Sequence, residues 1–262
     1  MDLGLGSKTA VVTGASRGIG LATVRTLVAE GVRVVGGART VGPELAETGA
    51  VAVRADLSTP EGVATFMEQA LAELGGIDLL VNNVGAGDDL RLGGFLGADD
   101  EQWRYVFDLN LMSAVRVSRL ALPSLVERRG AVVNVSSVNG RLPAAGPVAY
   151  SAAKAALTAL GKSLAEEFGP QGVRVNTVSP GVVRSSIWDG PDSFGGKAAA
   201  AAGVDDYDAF LRALPGEFGI TVGRIGEPSE VAALIAFLLS DRVAGYITGA
   251  EYVIDGGTVK VV

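Results

Sequence analysis

The sequence predicts an α/β protein built on one doubly wound, seven-stranded parallel sheet with helices on both faces. Three observations carry the prediction. Short valine-rich runs alternate with longer amphipathic stretches, a glycine-rich turn follows the first run, and no linker, repeat or charge block divides the 262 residues. Apolar runs bounded by turn residues read as strands buried on both faces, and helical stretches between them imply parallel crossovers.

The expected strands are Thr9–Thr13, Arg33–Gly37, Val51–Arg54, Leu79–Asn82, Ala131–Ser136, Arg174–Val178 and Tyr252–Ile254. Helices are expected near Ile19–Glu30, Pro60–Leu74, Asp100–Val126, Ala149–Phe168 and Ser229–Ser240. Only ten residues separate Arg39 from Ala50, so a helix there must be short. The segment from Ser185 to about Arg224 breaks the alternation, and long insertions in a compact domain are usually functional. It carries Ile187, Trp188, Phe194, Tyr207, Phe210, Leu211 and Phe218 among glycines and alanines. We read it as a mobile apolar lid within a single domain spanning 1–262, although each aromatic reads equally well as packing against the domain body.

Composition excludes several chemistries. With no cysteine there are no disulfides or thiolate sites, and with no histidine there is no imidazole ligand and no Ser-His or Cys-His dyad; no metal is expected. A net charge of −7 argues against a general nucleic-acid or anionic-membrane surface. The opening residues MDLGLGSKTA lack a basic segment followed by an apolar one, and no run of eighteen apolar residues occurs, so a soluble, cytoplasmic protein is expected.

Two patterns carry candidate chemistry. In AYSAAKAALTALGKSLAEEF, the spacing of four sets Tyr150 and Lys154 on one helix face, one turn apart. Hydride addition to a ketone builds an alkoxide that needs a proton partner, and a nearby ammonium would lower a phenol's pKa toward that task. Ser137, at the carboxyl end of a strand where open α/β sheets bind ligands, could hydrogen-bond the carbonyl oxygen. Taken alone, the Tyr–Lys pair reads as well as an ordinary surface pair. The second pattern is TGASRGIG at 13–20, between the first strand and the first helix. Gly14, Gly18 and Gly20 would let main-chain N–H groups approach a pyrophosphate at a helix N-terminus. A tight turn without a ligand is the alternative.

TGASRGIG, NNVG at 82–85, Asn110, Ser137, Tyr150-x-x-x-Lys154 and Pro180-Gly181 together resemble the short-chain dehydrogenase/reductase family, in that family's order and spacing. The resemblance spans residues 8 to 257. It implies a Rossmann-like domain, a nicotinamide cofactor and hydride transfer between an alcohol and a carbonyl. It assigns catalysis to Asn110, Ser137, Tyr150 and Lys154. Lys154 would also hold the nicotinamide ribose, and Asn110 a water linking the lysine to solvent. The cofactor would lie against Gly14, Ser16, Arg17, Gly18, Ile19 and Gly20, with Asp56 and Leu57 beside the adenine and Asn83 through Gly85 lining the far ribose. Tyr150, Lys154, Pro180, Gly181, Val183 and Ser185 would complete the site, the last two at the carboxamide.

An acidic residue ending the second strand selects NAD, whereas a basic one favours NADP. Position 38, the family's usual NAD-selecting site, is Ala, and Arg39 and Arg17 match residues that hold the 2′-phosphate, so NADP(H) is expected. Two solvated surface arginines are the alternative. Val84 stands where Ala is common and Ser185 where Thr is common. For function, the sequence favours a ketoreductase of a hydrophobic, 3-oxoacyl or polyketide-like substrate. An NAD-dependent secondary-alcohol dehydrogenase and a non-catalytic dinucleotide sensor are the alternatives. Arg184, Arg212 and Arg224 are given no role. The apolar C-terminal stretch around Tyr252, Val253 and Ile254 resembles the family's interface strand, which suggests a homotetramer.

Overall fold

The first strand, β1 (Thr9–Thr13), is buried at every residue and hydrogen-bonded on both sides, to β2 (Arg33–Ala38) and to β4 (Leu79–Asn82). β3 (Val51–Arg54) lies outside β2, while β5 (Ala131–Val135), β6 (Arg174–Pro180) and β7 (Glu251–Ile254) extend the other side. The order is β3-β2-β1-β4-β5-β6-β7, with every pairing parallel. The order reverses between β1 and β4, opening a crevice beyond their carboxyl ends, which is where ligands bind in such sheets. This computed structural model describes residues 2–85, 94–143, 146–185, 188, 193–201 and 203–260, except for the Phe194 side chain. Ile187 and that side chain, both expected in the lid, lie outside the described residues.

The inner strands β1, β4, β5 and β6 are buried throughout because both faces are covered, whereas the edge strands β3 and β7 are partly exposed. On one face α1 (Gly18–Ala29) packs on α9 (Pro228–Leu239), burying Leu21, Val24 and Leu27 with Val231, Ile235 and Leu238. On the other, α3 (Pro60–Leu74) and α5 (Ser113–Arg128) bury Phe66, Met67, Val117 and Leu125. Helix ends follow local chemistry. Thr59 accepts from the Gly62 N–H at 3.0 Å, Pro60 supplies a preset φ, and Gly75 closes α3 in the left-handed region at φ 68°. The short helix expected after Arg39 is α2 (Pro43–Ala46), and α10 (Asp241–Ala244) follows α9. No described helix is long and apolar enough to cross a membrane.

The single helix expected over Asp100–Val126 is instead three pieces: α4 (Asp100–Phe107), a π-turn over Asp108–Met112, and α5. Side chains compete for the backbone at this break. Asn110 Nδ2 donates to the Val106 carbonyl at 3.0 Å, and the Ser113 hydroxyl donates to that of Leu109 at 2.6 Å. The break sets Asn110 inward, fully buried.

The segment from Ser185 to Arg224 contains α7 (Phe194–Ala201) and α8 (Tyr207–Glu217). It has a small core of its own, in which buried Trp188, Leu214 and Ile220 meet Ile225, with Phe210, Leu211 and Phe218 against them. Tyr207 stacks on Phe210 with ring centroids 6.1 Å apart and donates its hydroxyl to the Trp188 carbonyl at 2.6 Å. Packing therefore accounts for Trp188, Tyr207, Phe210, Leu211 and Phe218. Arg184, Arg212 and Arg224 are paired with Glu227, Asp206 and Glu230.

Candidate active site

The glycine turn is built as its composition demands. Gly14 has φ +65°, a left-handed conformation open to glycine, and a β-carbon there would lie 3.2 Å from the Val84 Cα. At Gly20 a β-carbon would lie 2.1 Å from the Gly14 carbonyl oxygen, so helix and turn close only without a side chain. α1 begins after extended Arg17 with no side chain capping it and no acidic residue in its first turn. Its positive end faces the crevice with no acidic residue of its own first turn against it, which suits a bound phosphate group.

β4 braces this turn. The Thr13 hydroxyl accepts from the N–H groups of Asn83 and Val84 at 2.9 and 3.1 Å, and Asn83 Nδ2 donates to the carbonyls of Thr13 and Gly14, both at 3.1 Å. The Asn83 amide nitrogen is thus spent on the turn. Thr13, which the sequence did not single out, is its counterpart; ending the first apolar run just before Gly14 was its only signal.

A cavity of about 570 Å³ runs along this crevice, lined by Gly14, Ser16, Arg17, Gly18, Ile19, Ala38, Arg39, Leu57, Asn83, Gly85 and Ser185 among others. A second, of about 240 Å³, adjoins it through Ile19, Asn83, Gly85 and Ser185. Its walls bring together Ser137, Tyr150, Lys154, Pro180, Gly181 and Val183. Two expected cofactor residues lie off these walls. Gly20 is buried beneath the turn, and Asp56 is exposed, its carboxylate accepting from the Ser58 N–H and hydroxyl at 3.0 and 2.8 Å.

Ser137 lies two residues beyond β5, which ends at Val135 instead of Ser136, and its hydroxyl accepts from the Asn139 N–H at 3.2 Å. α6 (Val148–Phe168) carries Tyr150 and Lys154. Ser136 ties that helix to β5 by donating to the Lys154 carbonyl at 2.9 Å. Lys154 is buried at 2% exposure, with Nζ 5.6 Å from the centre of the Tyr150 ring.

The electrostatics differ from the sequence expectation. Burial pushes the Tyr150 phenol above its ordinary 10.0, opposed by a hydrogen bond with Ser137. Burial also lowers Lys154 from 10.5 to about 8. Desolvation disfavours the charged form of both groups and is the largest influence on each. At neutral pH the phenol keeps its proton.

Gly85 packs closely against both Lys154 and Asn110. A β-carbon on Gly85 would lie 3.0 Å from Asn110 Oδ1 and 3.2 Å from Lys154 Nζ, and that amide oxygen is buried without a hydrogen-bond partner among the described residues. The missing side chain at Gly85, the orphaned oxygen and the uncapped α1 all fit a dinucleotide reaching from Arg39 to Tyr150. The sequence also missed Asn139, Gly146 and Thr258, all of which line the smaller cavity.

Crevice and cavity together define a dinucleotide-fold oxidoreductase. A family model described as enoyl-(acyl carrier protein) reductase matches residues 14–259. The chain is 34% identical to the 3-oxoacyl-(acyl-carrier-protein) reductase FabG of Salmonella typhimurium over 97% of this chain and 98% of that protein. It is 35% identical to the oxidoreductase UcpA of Escherichia coli, covering 97% and 95%. L-sorbose reductase from Gluconobacter frateurii, solved with NADPH and L-sorbose, superposes with a TM-score of 0.90 at 33% identity over the whole of both chains. The protein belongs to the short-chain dehydrogenase/reductase family, oxidoreductases of CH–OH and keto groups.

Proposed function

We propose that the protein is an NADP(H)-dependent ketoreductase of hydrophobic ketones, including 3-oxoacyl or polyketide-like compounds. The observation that carries this reading is the convergence of Ser137, Tyr150 and Lys154 on a largely apolar cavity that opens onto the glycine-turn crevice. A nicotinamide cofactor bound there supplies the hydride that reduces the carbonyl carbon. As the C=O π pair moves onto oxygen, Tyr150 delivers its proton to that oxygen, giving the secondary alcohol. Ser137 donates a hydrogen bond to the same oxygen and fixes its position. Lys154 would hold the ribose side of the cofactor, and Asn110 the water that resupplies the proton.

The raised phenol favours the reductive direction, because a proton donor must be protonated at the start, whereas alcohol oxidation needs the tyrosinate. Arg17 and Arg39 beside uncharged Ala38 in the crevice support NADP(H) over NAD(H). The 185–224 segment serves as the lid, with Trp188 and Phe218 on the cavity wall. A non-catalytic sensor would have no use for a serine, tyrosine and lysine on one cavity.

The test is a cofactor-coupled screen of ketones and alcohols with NADPH, NADH and their oxidised forms. Ketone-dependent NADPH oxidation is the expected result. Turnover only of alcohols with NAD would replace this reading with the dehydrogenase, and no turnover with any pairing would leave the sensor.

A further inference from the structure

We propose that Asn139 is a specificity-determining residue that binds a second oxygen of the substrate, one or two carbons from the reacting carbonyl. The preferred substrates are then 1,3-dicarbonyl compounds and hydroxy ketones, not monofunctional ketones. This rests on the reading that the cavity at Ser137 and Tyr150 takes a ketone.

Asn139 lines that cavity together with Ser137, Tyr150 and Lys154. It is fixed to Ser137 twice: its main-chain N–H donates to the Ser137 hydroxyl, and its Oδ1 accepts that hydroxyl's proton, both at 3.2 Å. The carboxamide oxygen is therefore committed. Its Nδ2 has no hydrogen-bond acceptor among the described residues, so two N–H donors are available beside the serine that meets the carbonyl.

Gly146 is shaped to this amide. A β-carbon at 146 would lie 2.0 Å from Asn139 Nδ2, so any side chain there would drive the carboxamide out of its place. The remaining wall is mostly apolar, with Val135, Val138, Pro147, Val182, Trp188 and Phe218. Asn139 has no part in the proton transfer, which Tyr150 performs. Once a substrate displaces water from such a wall, this donor keeps a partner only if the substrate brings an acceptor, and sites of this kind discriminate against analogues that lack one. Two oxygens on neighbouring or alternate carbons of a ketone meet Ser137 and Asn139 side by side. When the first engages Ser137, the serine proton swings from Asn139 Oδ1 to the carbonyl.

The experiment compares kcat/KM for ethyl 3-oxobutanoate and 2-heptanone, which share a backbone length, with NADPH as reductant. In Asn139→Leu the ratio of the two is expected to fall by roughly tenfold or more, the scale of one lost specific hydrogen bond. Asn139→Asp keeps an oxygen to receive the Ser137 proton but has no N–H to give, so the ratio falls equally if the substrate contact is real. Gly146→Ala, which displaces the amide, should move the ratio the same way. Melting curves confirm which variants fold, and any one folded variant decides the case. A ratio within twofold of wild type overturns the proposal, because Asn139 would then only orient Ser137. A wild type that oxidises NADPH with neither ketone overturns the ketoreductase reading and this proposal with it.

Discussion

Lys154 Nζ donates a 2.9 Å hydrogen bond to the main-chain carbonyl of Val135, the last residue of β5. This single bond anchors a buried ammonium whose pKa has fallen to about 8. A basic group with a depressed folded pKa destabilises the fold wherever it is charged. The full penalty applies below about pH 8 and disappears above the ordinary 10.5, with stability rising across that window because the unfolded chain binds more protons. The shift corresponds to about 3 kcal/mol, and the bond to Val135 returns about 1 kcal/mol. Lys154→Met should therefore raise the Tm of the cofactor-free protein at pH 7 by on the order of 5 °C while abolishing turnover. Differential scanning calorimetry at pH 7 and pH 10.5 checks this, and the gap between variant and wild type should close at the higher pH. A variant less stable at pH 7 would show that the lysine is a net structural asset.

Tyr150→Phe keeps the ring against α4 and removes only the hydroxyl. General acid catalysis contributes typically ~10²–10⁴-fold, so kcat should drop by at least about 100-fold. NADPH affinity, measured by fluorescence titration, should stay within about threefold of wild type, since binding rests on the glycine turn and the arginines. Near-normal turnover in this variant would remove Tyr150 from the proton transfer.

Arg39 is exposed at the rim of the larger cavity, directly after buried Ala38. Arg39→Asp removes a cation and sets a carboxylate where a 2′-phosphate would lie, so attraction becomes repulsion. The ratio of kcat/KM for NADPH over NADH should fall by about 100-fold or more, the scale of losing a charge-assisted pair and gaining a like charge. An unchanged ratio would make Arg39 a solvated surface residue.

The sheet was legible because its strands are apolar on both faces, and β1, β3 and β4 begin and end where the valine-rich runs do. α3 was equally plain, since Thr59, Pro60 and Gly75 mark its ends by local chemistry. The π-turn was not, because Asp108-Leu-Asn-Leu-Met112 contains no proline or glycine and the break arises from Asn110 and Ser113 bonding back to their own helix. In the site, glycines and titratable side chains announced themselves by spacing. What spacing cannot express is burial, which raises the Tyr150 phenol where proximity to Lys154 suggested a lowered one. Nor does it express contacts between separate turns and loops, such as Gly146 against Asn139 or Thr258 against the cavity.

Gly20→Ala tests the closeness of α1 to the turn. The added methyl would meet the Gly14 carbonyl at 2.1 Å and Asn83 Nδ2 at 2.6 Å, both held by backbone or hydrogen bonds. Something must shift, at a cost of roughly 1–3 kcal/mol for a packed site. The shift displaces the main-chain N–H groups that face the crevice, so the apparent Kd for NADPH should rise by at least about tenfold along with a lower Tm. Urea unfolding and fluorescence titration measure the two effects, and a variant with wild-type affinity would show that the turn tolerates displacement.

β7 is the last strand in the sheet order and, among the described residues, is paired on one side only, to β6. All four of its residues are half-buried, whereas every residue of β5 and β6 is fully buried. Tyr246, a few residues before it, is fully exposed. An open apolar edge is an association hazard, and apposing the same edge of a second copy covers it symmetrically. We expect a homotetramer assembled in part through this strand, as the family resemblance suggested. Multi-angle light scattering at micromolar concentration should give about four times the chain mass of 26.6 kDa. Tyr252→Lys, which puts a charge on the strand, should shift the mass toward smaller species if β7 lies in the interface. A monomer mass that persists as concentration rises, with full activity, would make β7 an ordinary sheet edge covered by its own chain.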